Sequence, residues 1–252
     1  MGIFFFLFAI NIVSCSDDDD SKPITLKDEE ETTITMIYSG TTTGYTFSLQ
    51  GGNGNYFVKS GDEDVVTAEM INSVDFRIKA VNVGKTTVTI TDNSQNTLVL
   101  NVIVDYETRN FKIKLHDVIV IGDDLTTNEK KAIQGKVYAN IPVKIGGGYK
   151  FIHTDIETGN GKVIVYAEVF GDKGIETTFE YKKITNGTGI SAWAYEIILN
   201  DEKRLLVIDR YNPSIRSDQF VPIALVEDVT EEIKKEFPKI ERVGAFQVID
   251  LE

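Results

Sequence analysis

Residues 3–13 form an apolar run interrupted only by Asn11. Such a run falls short of the about 20 residues a helix needs to cross a bilayer, and it matches the apolar region of a secretory signal peptide. From residue 32 onward the pattern changes to period two. Ile34, Met36 and Tyr38 alternate with Thr35 and Ile37, Tyr45 to Leu49 forms a second run, and Phe76-Arg77-Ile78-Lys79-Ala80 a third. Val88 and Ile90 interleave with Thr87, Thr89 and Thr91, and Leu98, Leu100, Val102 and Val104 share one face. Alternation rich in Thr and Val predicts half-buried antiparallel strands. Gly51-Gly52-Asn53-Gly54, Gly61-Asp62 and Asp92-Asn93-Ser94 supply the turns. About six or seven strands in this stretch predict a small β-sandwich over residues 32–105.

The polar break Asp105-Tyr106-Glu107-Thr108-Arg109-Asn110 marks a boundary, and residues 106–252 read as α+β. Phe111 to Ile121 is a strand. Thr126 and Glu129 form a capping-box pair ahead of a short helix carrying Ala132, Ile133 and Val137, which ends before Pro142. Gly159-Asn160-Gly161 separates two strands as a hairpin turn would. Ile175, Thr177, Phe179 and Tyr181 share one face, with Glu176, Thr178, Glu180 and Lys182 on the other. Ala192–Leu199 and Arg204–Asp209 form the next hairpin. Asp228 with Glu231 caps a last helix carrying Ile233 and Phe237, and Ile240 to Leu251 is the final strand. The expectation is a mostly β chain: a sandwich, then an antiparallel sheet packed by one or two short helices.

The chain has 252 residues, 42% of them hydrophobic, with a net charge of -13. Residues 16–31 hold eight acids against Lys22 and Lys27, so nearly half of that charge sits in one short, extended segment. The balance argues against nucleic acid as a partner, since phosphate binding needs Lys and Arg patches. Cys15 is the single cysteine, so no disulfide framework exists.

Ile12-Val13-Ser14-Cys15 resembles the lipobox of bacterial lipoproteins, and Ser16-Asp17-Asp18-Asp19-Asp20 resembles the surface-export signal of Bacteroidetes lipoproteins. The resemblance implies a signal peptide over 1–14, acylation of Cys15, and an acidic tether over 15–31. It further implies an outer-membrane protein held by its lipid anchor and facing the cell exterior. A second resemblance rests on Asn55-Tyr56-Phe57-Val58, on Asp64-Val65-Val66-Thr67-Ala68, and on Ala80-Val81-Asn82-Val83-Gly84 running into Lys85 to Asp92 and Leu98 to Val104. These residues are similar to the group 2 bacterial Ig-like domain, which implies an Ig-like sandwich serving as a spacer or adhesive module.

No catalytic set can be assembled. His116 and His153 each fall in a strand without a ligand or acid–base partner at suitable spacing. No G-x-S-x-G elbow is present, and Gly146-Gly147-Gly148 leads into a strand where a phosphate cradle needs a helix N-terminus. No metal set or cofactor motif is found. One constellation suits contact with an extracellular glycan or protein. Trp193 and Tyr195 share a strand face, and Tyr211-Asn212 opens a polar loop with Asp209, Arg210 and Arg216 nearby. The same two aromatics equally suit the core face of their strand, continued by Ile197 and Leu199. The functional expectation is a surface-exposed, non-catalytic binding or adhesion module. The alternatives are a structural or assembly component of an envelope complex and, third, an enzyme with an unrecognised site.

Overall fold

In the computed structural model, which describes residues 22–29, 31–40, 44–185, 191–211 and 222–250, alternation of buried and exposed side chains is clear in strands such as Thr33–Tyr38 and Thr97–Tyr106, while Ile223–Asp228 and Arg242–Asp250 carry runs of buried residues. Cys15, Ser16, Asp17, Asp18, Asp19, Asp20 and Asn212 lie outside the described residues. The chain is mostly β and divides into two compact units.

The first unit is built of residues up to Met36 and of Thr42–Ile103. Its strands are β1 (Thr25–Leu26), β2 (Thr33–Tyr38), β3 (Tyr45–Gln50), β4 (Phe57–Ser60), β5 (Val66–Met70), β6 (Asp75–Ala80), β7 (Gly84–Thr91) and β8 (Thr97–Tyr106). They form two four-stranded sheets, in the orders β1-β3-β6-β5 and β2-β8-β7-β4. Each sheet buries one face: Leu26, Leu49, Val66, Phe76 and Ile78 in the first, Met36, Val88, Ile90, Leu100 and Val102 in the second. The segment expected to be wholly tether is not. Ile24 and Leu26 are buried, and β1 pairs with β3 through Leu26 opposite Leu49. Two apolar side chains within an acidic run are enough to recruit it to a sheet edge.

The second unit comprises Ile37–Thr41 and the chain from Val104 onward. Here the expected α+β sheet closes on itself. The strands are β9 (Thr108–Ile121), β10 (Gly148–Ile152), β11 (Gly161–Tyr166), β12 (Ile175–Thr185), β13 (Ser191–Leu199), β14 (Glu202–Arg210), β15 (Ile223–Asp228) and β16 (Arg242–Asp250). Each pairs antiparallel with the next, and β16 returns to β9, so the eight strands make a closed up-and-down barrel. The polar break expected at residues 105–110 is strand on both sides of Glu107, and Arg109 pairs with Phe151. The β13–β14 turn is Asn200-Asp201 with φ of 52° and 65°, the two-residue hairpin geometry that follows the twist of the strands.

A barrel of eight strands is just wide enough for inward side chains to fill it or to hold one small ligand. Here aromatics fill the middle: Phe111, Tyr149, Phe151, Phe179 and Tyr195 are packed together with Ile197, Leu206 and Leu225. Outward positions of β11 to β14 carry charge, with Lys162 bridging Glu176 and Glu196 held between Lys182 and Lys203, whereas those of β15 and β16 include the apolar Ala224, Val226 and Val248. No helix among the described residues is long and apolar enough to cross a membrane.

Two helices lie at one end. The first, α1 (Thr127–Asn140), follows β9 and begins with the expected capping box, the Thr126 and Glu129 side chains each bonding the other's backbone N–H. The second, α2 (Thr230–Lys234), follows β15 and is shorter than expected. Asp228 accepts from the Thr230 N–H and hydroxyl, and beyond Lys234 the chain tightens into a turn in which the Glu236 and Phe237 N–H groups both donate to the Ile233 carbonyl, just before Pro238. Ile133, Val137 and Ile233 from the helices pack with Val118, Val243 and Ala245 of the barrel. The opposite end is the mouth. It gathers the start of β9, the end of β10, the end of β12 and the start of β13.

Candidate functional site

The register of the β12–β13 pair decides where Trp193 stands. Phe179 is opposite Ile197, Tyr181 opposite Tyr195, and Lys183 opposite Trp193. Trp193, Tyr195, Ile197 and Leu199 therefore point inward, as a core face would. Yet Tyr195 is fully buried, whereas Trp193 is 48% exposed. Both readings of this strand meet in one place: its inner face is core, and its last aromatic is the rim of the barrel mouth.

The rim is organised by stacking. The Trp193 and Tyr181 rings lie 4.7 Å apart and 10° from parallel. Tyr181 in turn packs on Tyr195 at 4.8 Å, and Tyr195 stacks on Phe151 at 3.7 Å. The Arg109 guanidinium sits 5.0 Å from the Tyr181 ring centroid. Its Nη1 donates to the hydroxyl oxygens of Tyr181 at 2.9 Å and Tyr195 at 3.2 Å, while Nε donates to Glu107 Oε1 at 2.8 Å. A row of rings runs from the core to the surface, pinned at its side by one arginine.

Behind this row lies His153, buried just past β10. Its Nδ1 is 2.5 Å from the Gly159 carbonyl, which fixes that nitrogen as the N–H donor. Nε2 is then the acceptor facing the Tyr195 hydroxyl at 3.5 Å. Burial, aided by the Arg109 charge, pushes the His153 imidazolium below its ordinary range, although the bond to Gly159 opposes this. Burial likewise pushes the Tyr195 hydroxyl up to about 12, against the pull of Arg109. Both groups are neutral at pH 7, and both ring nitrogens of His153 are engaged. The arrangement is a rigid polar support.

Tyr211 belongs elsewhere. It is buried among outward-facing residues of the barrel, with Ala224, Val226 and Val248. Its ring lies 5.8 Å from Phe246, and its hydroxyl donates to Asp117 Oδ2 at 2.7 Å. Tyr211 therefore packs and does not join Trp193. His116 is partly buried on β9, with its imidazolium disfavoured by burial and by Lys144. Among the described residues no group of three or more His, Cys, Asp or Glu is placed to hold a metal ion.

Sequence reasoning named Trp193 and Tyr195 as candidate contact residues, of which Tyr195 is fully buried, and did not bring Arg109, Tyr181 and His153 beside them. Tyr181 shares its face with Phe179, and the β12–β13 register sets that face against the Trp193 face. Arg109 carried no such signal. No family model matches this chain, and no curated protein was found as a relative.

Proposed function

We propose that this chain is a surface-exposed, outer-membrane lipoprotein, anchored through Cys15, that binds an extracellular glycan at the mouth of its C-terminal barrel and is not itself an enzyme. The observation that carries the binding reading is the half-exposed Trp193, stacked on Tyr181 at a barrel rim. An indole held flat by a second ring offers the apolar face on which the C–H face of a pyranose stacks, and barrel mouths are common ligand sites. The exposed Lys183 and the rim pair Arg109–Glu107 supply hydrogen-bonding groups beside it. The lipoprotein part of the reading rests on the lipobox-like Ile12 to Cys15 and on Ser16 to Asp20.

The first unit reads as an Ig-like spacer. Labelled in the immunoglobulin manner, β1 is A, β3 to β8 are B to G, and the two sheets become A-B-E-D and C-F-G with β2 added beside G. That order supports the sequence resemblance.

The test is a glycan array probed with the full chain, followed by titration of the single tryptophan's fluorescence with the glycans retained. Binding should shift the emission, and Trp193→Ala should weaken it by at least about 2 kcal/mol, near thirtyfold. Trp193→Phe should recover part of the affinity. Retained binding in Trp193→Ala would refute the site. Binding to peptides in place of glycans would replace the ligand class, and no binding to either would move the assembly role ahead.

A further inference from the structure

The ladder register assigns the charges of the barrel mouth as well as its rings. Lys183 lies two positions beyond Tyr181 on the inward face of β12, opposite Trp193. Arg210 lies two beyond Ile208 on the inward face of β14, opposite Ile223, and both isoleucines pack against the core. Arg109 starts on β9 and crosses the lumen to the hydroxyls of Tyr181 on β12 and Tyr195 on β13. The strand that carries Trp193 therefore has an exposed inward cation on each neighbouring strand, and a third cation beside the ring on which Trp193 stacks. Among the described strand positions, every inward charge at this end is positive.

Little negative charge offsets these cations. Glu107 accepts from Arg109 Nε, but among the described residues nothing accepts from Arg109 Nη2, and no carboxylate pairs with Lys183 or Arg210. The acids on the flanking strands face outward: Glu180 is 3.8 Å from Lys182, Asp250 is 3.5 Å from Lys114, and Asp209 lies opposite Ala224. Asp155, in the turn after β10, accepts from the backbone N–H groups of Glu157 and Thr158. The helix-bearing end of the barrel differs. There the inward Arg204, opposite Ile197, and the inward Glu227, opposite Ala245, bond each other at 2.9 Å, and Arg204 Nη2 donates to Glu202 at 3.0 Å. The mouth cations have no such internal answer. Three like charges around one opening repel one another, and an anion bound among them removes that cost. In a chain of net charge -13, a positive layer at this one opening runs against the composition.

We infer that the glycan bound at this mouth is acidic, a pyranose that carries a carboxylate, as uronic and sialic acids do. The inference rests on the glycan reading above and names its substrate class. The C–H face of the sugar lies on the Trp193 indole, and its carboxylate accepts from the open Nη2 of Arg109, a charge-assisted bond of the stronger kind. Tyr181 joins the two halves of the site, with the indole 4.7 Å from its ring centroid and the guanidinium carbon 5.0 Å from it. Lys183 and Arg210 add attraction from either side, and because both are exposed their share is screened by salt.

The test is titration of the full chain, read by Trp193 emission, with two acidic glycans and their neutral counterparts: trigalacturonate against its full methyl ester, and 3′-sialyllactose against lactose. At least one acid should bind about tenfold or more tightly than its counterpart at about 0.05 M salt, with the ratio shrinking at about 0.5 M. Which acid is preferred separates a polyuronate from a sialylated terminus. Lys183→Gln combined with Arg210→Gln should lower the acid-to-neutral ratio severalfold with an unchanged far-UV spectrum. Arg109→Lys, which keeps the charge and loses Nη2, should lower it as well. If neither acid exceeds its counterpart by about twofold at low salt, or if the ratio is the same in parent and both variants, the charge inference falls. Neutral glycans that bind the parent and are lost in Trp193→Ala would then leave the mouth standing as a glycan site. If no glycan of either charge shifts the emission, both readings fall together.

Discussion

Trp193→Ala separates the rim from the core by its magnitude. A fully buried tryptophan hides about 150–250 Å². With Trp193 48% exposed, roughly half of that, about 100 Å², is removed from water. At ~25 cal/mol per Å² this is worth about 2.5 kcal/mol, and about 1.5–2 kcal/mol after allowing for compactness of the unfolded chain. The stack on Tyr181 adds about 0.5–1 kcal/mol. The expected loss is therefore about 2–3 kcal/mol, below the about 3–5 kcal/mol of a buried Trp→Ala change. Trp193→Phe keeps a ring on Tyr181 and should lose about 1 kcal/mol. Because the variants lack the only tryptophan, the assay is urea unfolding followed by far-UV circular dichroism, with equal m-values required for the comparison. Acrylamide should quench the parent protein's tryptophan strongly. A loss above about 4 kcal/mol with weak quenching would place Trp193 in the core. A loss below about 0.5 kcal/mol would mean the stack with Tyr181 does not persist in solution.

Four further outcomes follow from named groups. His153 holds its proton more weakly folded than unfolded, so stability should fall as pH drops through about 6.5 toward the lower folded value, with His116 acting in the same direction. His153→Gln should make that slope shallower, and an identical slope from pH 7.5 to 5.5 would count against it. Thr126→Ala removes the hydroxyl half of the α1 capping box, leaving the bond from the backbone N–H to Glu129, and should cost about 1 kcal/mol, measured by urea midpoint; no change would mean the helix start is frayed. Cys15→Ala should abolish palmitate labelling, and replacing Asp17 to Asp20 by Ala should keep the label but lower protease accessibility on intact cells. Equal labelling or equal shaving would refute the anchor or the export reading in turn.

The strands were legible because their evidence is local. The alternation at Phe179 and Tyr181, or at Val88 and Ile90, is written in neighbouring residues, as is the Thr126–Glu129 cap. Closure of the barrel is not local. It rests on β16 meeting β9, with Val243 opposite Val120, and nothing in either strand names a partner so distant. The register of that pair also shifts between Val248 and Ile249, which changes the inward set along β9 and hides it from a simple period-two reading.

The same argument explains what was missed at the site. Arg109 sits in a run of polar residues that reads as a linker, and its role depends on Tyr181 and Tyr195, 72 and 86 positions away. Its backbone pairs with Phe151, and once that pairing exists its side chain is carried to the mouth beside the rings. Arg204 and Glu227 were hidden for a related reason. A charged residue at the end of a strand reads as a solvated terminus, and only the ladder register, with Ile197 and Ala245 opposite, reveals that both point inward. In a closed barrel the informative question for each charged residue is therefore its cross-strand partner. A charge opposite a buried apolar residue is inside, and it needs either an ion pair or a ligand to account for it.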